Sequence, residues 1–272
     1  MELILNTAAL IDTFLYSKKT KGVSPLTIKW YEQILRLFQS YHKKLPLKPS
    51  VIESFINSCP GGDERRHGYF RTLRCFYRFL ERRNITNNPM RFIEPPKCSR
   101  KVPRTLTYQE LNILLGYPRD PEIKASLKFL IDTGTRLGEL YSLTPSCFRA
   151  TPWGYSVLVT GKTGPRIIPI SHESYYSLTP YLPFPYTKHR LGRKISKTFS
   201  DAGIDGTAHT LRHTFATLWG GSEFALQLIM GHSSITTLQR YRHLRIEMIS
   251  VQHSQYSPFV IARRGALQGV MI

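Results

Sequence analysis

The sequence predicts a mainly α protein with a small β-sheet, an α+β fold, and two observations lead to this class. Apolar residues recur at helical spacing through most of the 272 residues. One stretch, residues 155–170, instead holds two short β-like runs joined by a glycine-containing turn. Because 41% of the residues are hydrophobic, the chain can form a buried core, and its length suggests one or two domains.

Positive charge predominates: Lys and Arg number 38 against 18 Asp and Glu, a formal net charge of +20. In a folded chain this balance favours a polyanionic partner such as DNA, RNA or an anionic membrane surface. No stretch reaches the roughly 18 uninterrupted apolar residues of a spanning helix, so an integral membrane protein is excluded. The 4 cysteines are scattered without a CxxC pair, and the first residues lack the pattern of a secretory signal. We therefore expect a reducing, cytoplasmic location.

The N-terminal region, residues 1–95, is predicted to be an all-helical domain of 4 helices. Ser24 has the position of an N-cap before Pro25, and apolar residues then recur at helical spacing to Tyr41. A further helix, from about Asp63 to Arg83, carries almost only positive charge around its apolar stripe. Solvated helices usually alternate the signs of their charges, so this helix is predicted to contact phosphate groups. The candidate contacts are Arg65, Arg66, Arg71, Arg74 and Arg78.

Composition changes after this region, where prolines and basic residues alternate. Pro95-Pro96-Lys97 and Ser99-Arg100-Lys101 combine stiff, extended backbone with positive charge, which is typical of a linker. The predicted boundaries are 1–95 for the helical domain, 96–103 for the linker and 104–272 for a second domain. Lys97, Arg100 and Lys101 are further candidate phosphate contacts.

The second domain is predicted to begin with a helix, since Thr107 and Glu110 have the spacing of a capping box. Helical spacing continues from Ile123 to Asp132. The β-like runs Tyr155–Thr160 and Arg166–Ile170 follow, joined by Gly161-Lys162-Thr163-Gly164, which is a hairpin signature. From residue 171 onward the pattern is helical again.

Four clusters in this domain are candidates for catalytic residues. Each cluster alone is weak evidence, because such residues usually have a structural role. They are Thr133 to Leu140, Gly161 to Gly164, His209 to Thr217, and Gly231-His232 followed nine residues on by Tyr241.

Three other kinds of site are excluded by spacing. Gly161-Lys162-Thr163 resembles the end of a P-loop, but Ser156 stands where the first glycine is required and a strand follows. His209 and His213 are four apart, as zinc ligands can be, but Thr210 replaces the zincin glutamate and no third ligand is placed. No G-x-S-x-G elbow of a serine hydrolase is present. We therefore expect neither a metal nor a cofactor.

Jointly, the four clusters fit phosphoryl transfer. Arg136 and Arg212 can present planar forks to the non-bridging oxygens of a phosphodiester. His209 lies three residues before Arg212 and can reach the same phosphate. Tyr241 would be the nucleophile, helped by nearby positive charge because a phenol ordinarily ionises near pH 10. Lys162, in the hairpin, suits a general acid for the leaving 5′ oxygen.

This set resembles the tyrosine recombinases, the phage-integrase family. The matching motifs are T-G-x-R-x-x-E-L at 133–140, H-x-L-R-H-T-F-A-T at 209–217, and G-H followed by Thr237, one place later than the commonest form, and Tyr241. The first domain resembles the core-binding domain of the family, including Ser24-Pro25-x-Thr27 and Asn88-Pro89.

The resemblance implies a site-specific DNA recombinase that forms a 3′-phosphotyrosyl intermediate and needs no cofactor. It implies a C-shaped clamp made of the core-binding domain and a mixed α/β catalytic domain. Around the scissile phosphate it places Arg136, Lys162, His209, Arg212 and His232, with Tyr241 as nucleophile. Glu139 would be a buried supporting partner, and His213, on the back of the same helix as Arg212, is expected to pack rather than to catalyse.

The implied partner is double-stranded DNA with an inverted-repeat core site, bound by a tetramer whose subunits can be monomers in solution. The segment beyond Tyr241 is predicted to be an exchange tail that docks on a neighbouring protomer, with packing on its own domain as the alternative. The short chain is more similar to Xer-type recombinases and mobile-element integrases than to larger phage integrases. A type IB topoisomerase and a non-enzymatic DNA-architectural protein remain alternatives.

Overall fold

The computed structural model describes residues 6–98, 102–152, 154–161, 164–231 and 246–268. The chain divides into two compact units, Met1–Lys101 and Val102–Ile272, each with its own hydrophobic core. The described residues are mostly helical and contain one small sheet, which confirms the predicted fold class. No helix among them is both long and apolar enough to cross a membrane.

The regular elements of unit 1 among its described residues are helices, with one isolated β-bridge between Asn6 and Lys44. Its elements are α1 (Thr7–Thr20), α2 (Pro25–Tyr41), α3 (Pro49–Ser58), α4 (Asp63–Arg82) and a 3₁₀ helix (Pro89–Phe92). The predicted start of α2 is present: Ser24 Oγ accepts a hydrogen bond from the Thr27 backbone N–H at 3.3 Å, and Pro25 occupies the first position. This arrangement satisfies one of the free N–H groups at the helix start.

Aromatic rings form much of the core of unit 1. Phe14 on α1 meets Phe76 on α4 edge to face, with ring centroids 5.5 Å apart. Phe38 on α2 meets Phe55 on α3 in the same way at 4.9 Å. All four rings are buried, and α4 therefore turns its apolar stripe inward.

Unit 2 begins with helices and continues through a sheet into further helices. Its helices are α5 (Tyr108–Gly116), α6 (Pro121–Thr133), α7 (Leu137–Tyr141), α8 (His172–Leu178), α9 (Lys188–Asp201), α10 (Ala208–Leu218), α11 (Glu223–Met230), α12 (Ile246–Tyr256) and α13 (Pro258–Gln268), with 3₁₀ helices at Pro145–Cys147 and Thr179–Tyr181. The predicted capping box is present at α5: the Glu110 N–H donates to Thr107 Oγ1 at 3.2 Å, and the Thr107 N–H donates to Glu110 Oε2 at 2.9 Å.

The sheet of unit 2 is antiparallel in the order β1, β2, β3. The strands are β1 (Phe148–Thr151), β2 (Gly154–Gly161) and β3 (Gly164–Ile170). β2 and β3 form the predicted hairpin, with Gly161 paired to Gly164 at its end. β1 is an additional strand that the sequence pattern did not predict. Val157, Val159 and Ile168 are buried, so one face of the sheet packs on the core.

Helix α6 passes through the centre of unit 2. Leu127, Phe129 and Leu130 are fully buried, and the helix packs against α8, α10 and β3. In its last turn the buried Asp132 carboxylate accepts the Ser171 backbone N–H at 2.8 Å. The end of α6 is therefore fixed by contacts with several neighbouring elements. Its position in turn determines the position of the turn that follows it.

The tail helices α12 and α13 pack on their own unit. Ile249 and Phe259 are buried, and the helices lie against β3, α5 and α6. His253 Nε2 lies 2.6 Å from the Asp132 carbonyl oxygen, and Ser257 Oγ donates to the Asp132 carboxylate at 3.1 Å. The single chain thus packs its tail in cis, and exchange between protomers stays a prediction.

Candidate active site

Arg136 is positioned by the tight turn between α6 and α7. Gly134 ends α6 with φ +60°, a left-handed conformation, and a Cβ there would lie 2.6 Å from Phe215 Cδ1. Glycine satisfies both requirements. Arg136 then caps α7, because its backbone N–H donates to Glu139 Oε2 at 2.9 Å. Its side chain is 35% exposed, so the guanidinium can still meet a ligand.

Arg212 approaches the same turn from α10. Its side chain is only 3% exposed, with Nη1 donating to the Gly134 carbonyl at 2.8 Å and Nη2 to the Met230 carbonyl at 2.7 Å. Both acceptors are neutral. Burial, with the nearby positive charge of Arg136, lowers the pKa of Arg212 to about 10, so it remains protonated at neutral pH.

Glu139 lies at the centre of the arginine cluster and is 3% exposed. Its carboxylate accepts two hydrogen bonds from Arg166, at 2.9 and 2.8 Å, and one from Arg136 Nη1 at 2.9 Å. Burial alone would raise the pKa of Glu139, but the hydrogen bonds from Arg166 and Arg136 outweigh it and lower the pKa to about 2. Glu139 is therefore a carboxylate at neutral pH.

Arg166 is a site residue that the sequence analysis missed. It lies on β3, two residues before the buried Ile168, so strand alternation places it on the core-facing side. A cation at an inward strand position needs a buried partner, and Glu139 provides it. This alternation was the available sequence signal.

His209 and His213 lie one turn apart on α10. His209 is exposed, His213 is half-buried, and their rings meet edge to face with centroids 4.5 Å apart. Partial burial and then the positive charges of His213, Arg212 and Arg136 lower the pKa of His209. His209 is therefore mainly neutral at pH 7 and can donate or accept a hydrogen bond.

Lys162, His232 and Tyr241 lie outside the described residues, but the backbone that leads to the first two is described. A Cβ at Gly161, the last residue of β2, would lie 2.2 Å from Glu139 Oε1. A Cβ at Gly231, with φ +62° after α11, would lie 2.9 Å from Arg166 Cδ. Both glycines therefore pack directly against the Glu139–Arg166 pair.

A cleft of about 490 Å³ opens beside Arg136 and His209. Its far side is formed by α9, which buries Leu191 and Ile195 and exposes basic residues. Those that line the cleft are Lys188, His189 and Arg193. The sequence analysis missed this surface, although the pattern of cationic residues around an apolar stripe is the one that singled out α4. The positive charge along the cleft is suited to binding the phosphate groups of a nucleic-acid backbone.

The structure also places the candidate DNA contacts of unit 1. On α4, Arg71, Arg74 and Arg78 are exposed and lie opposite the buried apolar stripe, and Arg65 is exposed near the helix start. Arg66 is half-buried, with Nη1 lying 3.7 Å from Asp63 Oδ1. Lys97 is exposed, whereas Arg100 and Lys101 lie outside the described residues.

The chain matches known proteins along most of its length. The profile of the Phage integrase family matches residues 104–248. The tyrosine recombinase XerD of Shewanella oneidensis is 30% identical over 92% of this chain and 96% of its own length. The XerD of Oceanobacillus iheyensis is 32% identical over 92% of this chain and 98% of its own length.

Two of the solved structures that share the fold match this chain along most of its length. One is a lambda integrase (75–356) dimer bound to a COC′ core site, with TM-score 0.73, 20% identity and coverage of 89% of this chain and 96% of that chain. The other is XerH bound to a palindromic difH substrate in a post-cleavage complex, with TM-score 0.71, 19% identity and coverage of 93% and 98%.

The family profile covers more than half of the chain and includes the segments that carry Arg136, Glu139 and Arg212. The XerD relatives cover nearly all of it. The resemblance predicted from the motifs is confirmed: this chain belongs to the phage integrase family and is a site-specific tyrosine recombinase, an enzyme that breaks and rejoins DNA strands.

Proposed function

We propose that the enzyme cleaves DNA by attack of Tyr241 on a phosphodiester held by Arg136 and Arg212. The observation that carries this proposal is the meeting of the two arginines at one turn. Arg212 Nη1 donates to the carbonyl of Gly134, two residues before Arg136. Two protonated guanidinium groups at one point are suited to a phosphate whose negative charge grows during reaction.

The proposed step balances as one bond formed and one broken. Tyr241 gives its phenolic proton to solvent, its oxygen bonds to phosphorus, and the bond between phosphorus and the 5′ oxygen breaks. Lys162 gives a proton to that oxygen. The 3′-phosphotyrosyl bond retains the phosphodiester energy, and attack by a 5′ hydroxyl reverses the step and rejoins the strand.

His209 and His232 would assist by hydrogen bonding to the same phosphate. His209 lines the cleft beside Arg136, and its lowered pKa keeps it mainly neutral at pH 7. A neutral imidazole adds a directional hydrogen bond without a further positive charge beside the arginines.

We assign DNA contacts to two basic helices, one in each unit. On α4 these are Arg71, Arg74 and Arg78, which recur at helical spacing on an exposed face, with Arg65 near the helix start. On α9 they are Lys188, His189 and Arg193 beside the cleft. Such contacts supply sequence-independent affinity for phosphates. Lys97, Arg100 and Lys101 would extend them.

The proposed assembly is a tetramer on two DNA duplexes, each with an inverted-repeat core site. Its support is the fold that the chain shares with a lambda integrase described as a tetramer bound to a Holliday junction, with TM-score 0.70 and 18% identity. A substrate of DNA also supports the expected cytoplasmic location.

A nicked suicide substrate tests the proposed nucleophile. Tyr241→Phe is expected to abolish the covalent protein–DNA adduct while leaving binding intact, because only the attacking oxygen is lost. The matched control is Tyr256→Phe, which removes the same oxygen from a partly exposed tyrosine on α12. An adduct formed by Tyr241→Phe on a denaturing gel would overturn the assignment.

A further inference from the structure

Arg166 is held at three donor atoms in the interior of unit 2. Its side chain is 10% exposed. Nη1 and Nη2 donate to the two oxygens of Glu139 at 2.9 and 2.8 Å, and Nε donates to the Ile229 carbonyl at 2.7 Å. A bidentate pair of this kind fixes both position and orientation.

Glu139 is shared between two arginines with different exposures. It bonds Arg136 once through the side chain and once through the backbone N–H, both at 2.9 Å. A carboxylate without another partner would pair with Arg136 and draw its charge away from a phosphate. Because the Arg166 fork occupies both oxygens of Glu139, the charge of that carboxylate is already balanced within the interior.

The charges around the turn show the consequence. Arg136, Arg166 and Arg212 contribute three positive charges and Glu139 one negative charge, so 3 − 1 leaves +2 beside the cleft. Without Arg166 the same count gives +1. The pair also packs against Gly161 and Gly231, where an added Cβ would clash with it, so the ends of β2 and α11 are set by the same contact.

We propose that Arg166 is a positioning residue for strand cleavage, which neutralises Glu139 and thereby leaves the charge of Arg136 to the scissile phosphate. This inference rests on the proposed roles of Arg136 and Tyr241. Arg166 does not touch the reacting atoms. An experiment must therefore distinguish the loss of its positive charge from the loss of its packing contacts.

The test is the single-turnover rate of adduct formation on the suicide substrate at saturating DNA. Arg166→Met is expected to slow this rate at least tenfold, which is less than the roughly 10²–10³-fold loss for deleting a direct donor to the developing charge, because Arg166 acts through Glu139. Its Kd for DNA should be unchanged, since affinity comes from many phosphate contacts. The control Lys128→Met removes a cation from another partly buried pair of unit 2, with Glu173 at 2.7 Å, and should react at the wild-type rate.

The decisive variant combines Arg166→Met with Glu139→Gln. Gln keeps an oxygen for the Arg136 backbone N–H but carries no charge, so the double variant should react faster than Arg166→Met alone. A folded double variant that is no faster, or a wild-type rate for Arg166→Met, would overturn the proposal. If Arg166→Met does not melt cooperatively, Arg166→Gln replaces it in the same comparison, because Gln can donate a hydrogen bond to Glu139 but carries no charge; equal rates with and without Glu139→Gln would again overturn the proposal.

The failure of the proposed catalytic set has a different signature. An inactive wild-type protein, or an Arg136→Ala variant that forms adduct at the wild-type rate, would overturn the roles of Arg136 and Tyr241 and with them that of Arg166. An active wild type with an impaired Arg136→Ala confines any failure to Arg166.

Discussion

A single glycine connects the two arginines that we assign to the phosphate. Gly134 can adopt φ +60° and leaves room for the ring of Phe215. Its carbonyl oxygen accepts a hydrogen bond from the guanidinium of the buried Arg212. A side chain at this position would disturb the turn before Arg136 and the contact from Arg212 together. The pairing of the arginines is therefore encoded in the local backbone as well as in the two residues themselves.

Lys162 is predicted to be the general acid, and a modified leaving group can test this role. Lys162→Ala should slow cleavage of ordinary DNA strongly, by about 10²-fold or more, because the 5′ oxygen then leaves without a proton. A 5′-bridging phosphorothiolate should be cleaved at nearly the wild-type rate, since sulfur leaves without one. The measurement is single-turnover cleavage of both substrates by both proteins. Equal defects on the two substrates would remove Lys162 from this role.

Individual residues differ in how far the sequence revealed them. Arg136 and Arg212 stand in motifs whose spacing suggested a shared phosphate, and the structure brings them to one turn. Arg166 stands in no such motif. Its importance depends on Glu139, which is 27 residues earlier in the chain, and no local pattern encodes that pairing.

Helices were the elements best predicted from the sequence, because their signals are local. The cap at Ser24 and the capping box at Thr107 depend on residues three positions apart, and both are present. Strand β1 (Phe148–Thr151) was missed because its four residues are too short to show alternation. It is stabilised by pairing with β2, a contact that depends on the folded sheet.

The basic helix α4 should contribute to the salt dependence of DNA binding. Replacing Arg71, Arg74 and Arg78 by Gln should reduce the slope of log Kobs against log salt by about 0.9 for each arginine that contacts phosphate in duplex DNA. Arg36→Gln is the control, because Arg36 pairs with Asp12 of α1. Affinity would be measured by fluorescence anisotropy at several salt concentrations. An unchanged slope in the triple variant would show that α4 does not contact the backbone.

At the scale of the whole molecule, α12 contacts segments that lie near the two arginines along the chain, the last turn of α6 and the start of α11. His253 and Ser257 bond to Asp132 in the last turn of α6, and Gln252 accepts hydrogen bonds from Ser222, before α11, at 3.0 Å. α12 begins five residues after Tyr241. Docking of the tail is therefore coupled along the chain to the predicted nucleophile and through contacts to the turn before Arg136.

Deleting the chain from Gln252 onward distinguishes the two roles of the tail. The deletion removes the buried His253 and Phe259, and loss of one core Phe side chain alone costs about 3–5 kcal/mol. The melting temperature of the free protein should therefore fall by at least about 5 °C.

If the tail also exchanges between protomers, cooperative filling of a two-site DNA should decrease and strand exchange should cease, while half-site binding is nearly unchanged. Both are measured on the full chain and the deletion, by thermal melting and by gel shift on one-site and two-site DNA. A lowered melting temperature with full cooperativity would show that the tail acts only in cis, because the contacts to Asp132 and Ser222 would then account for its whole contribution.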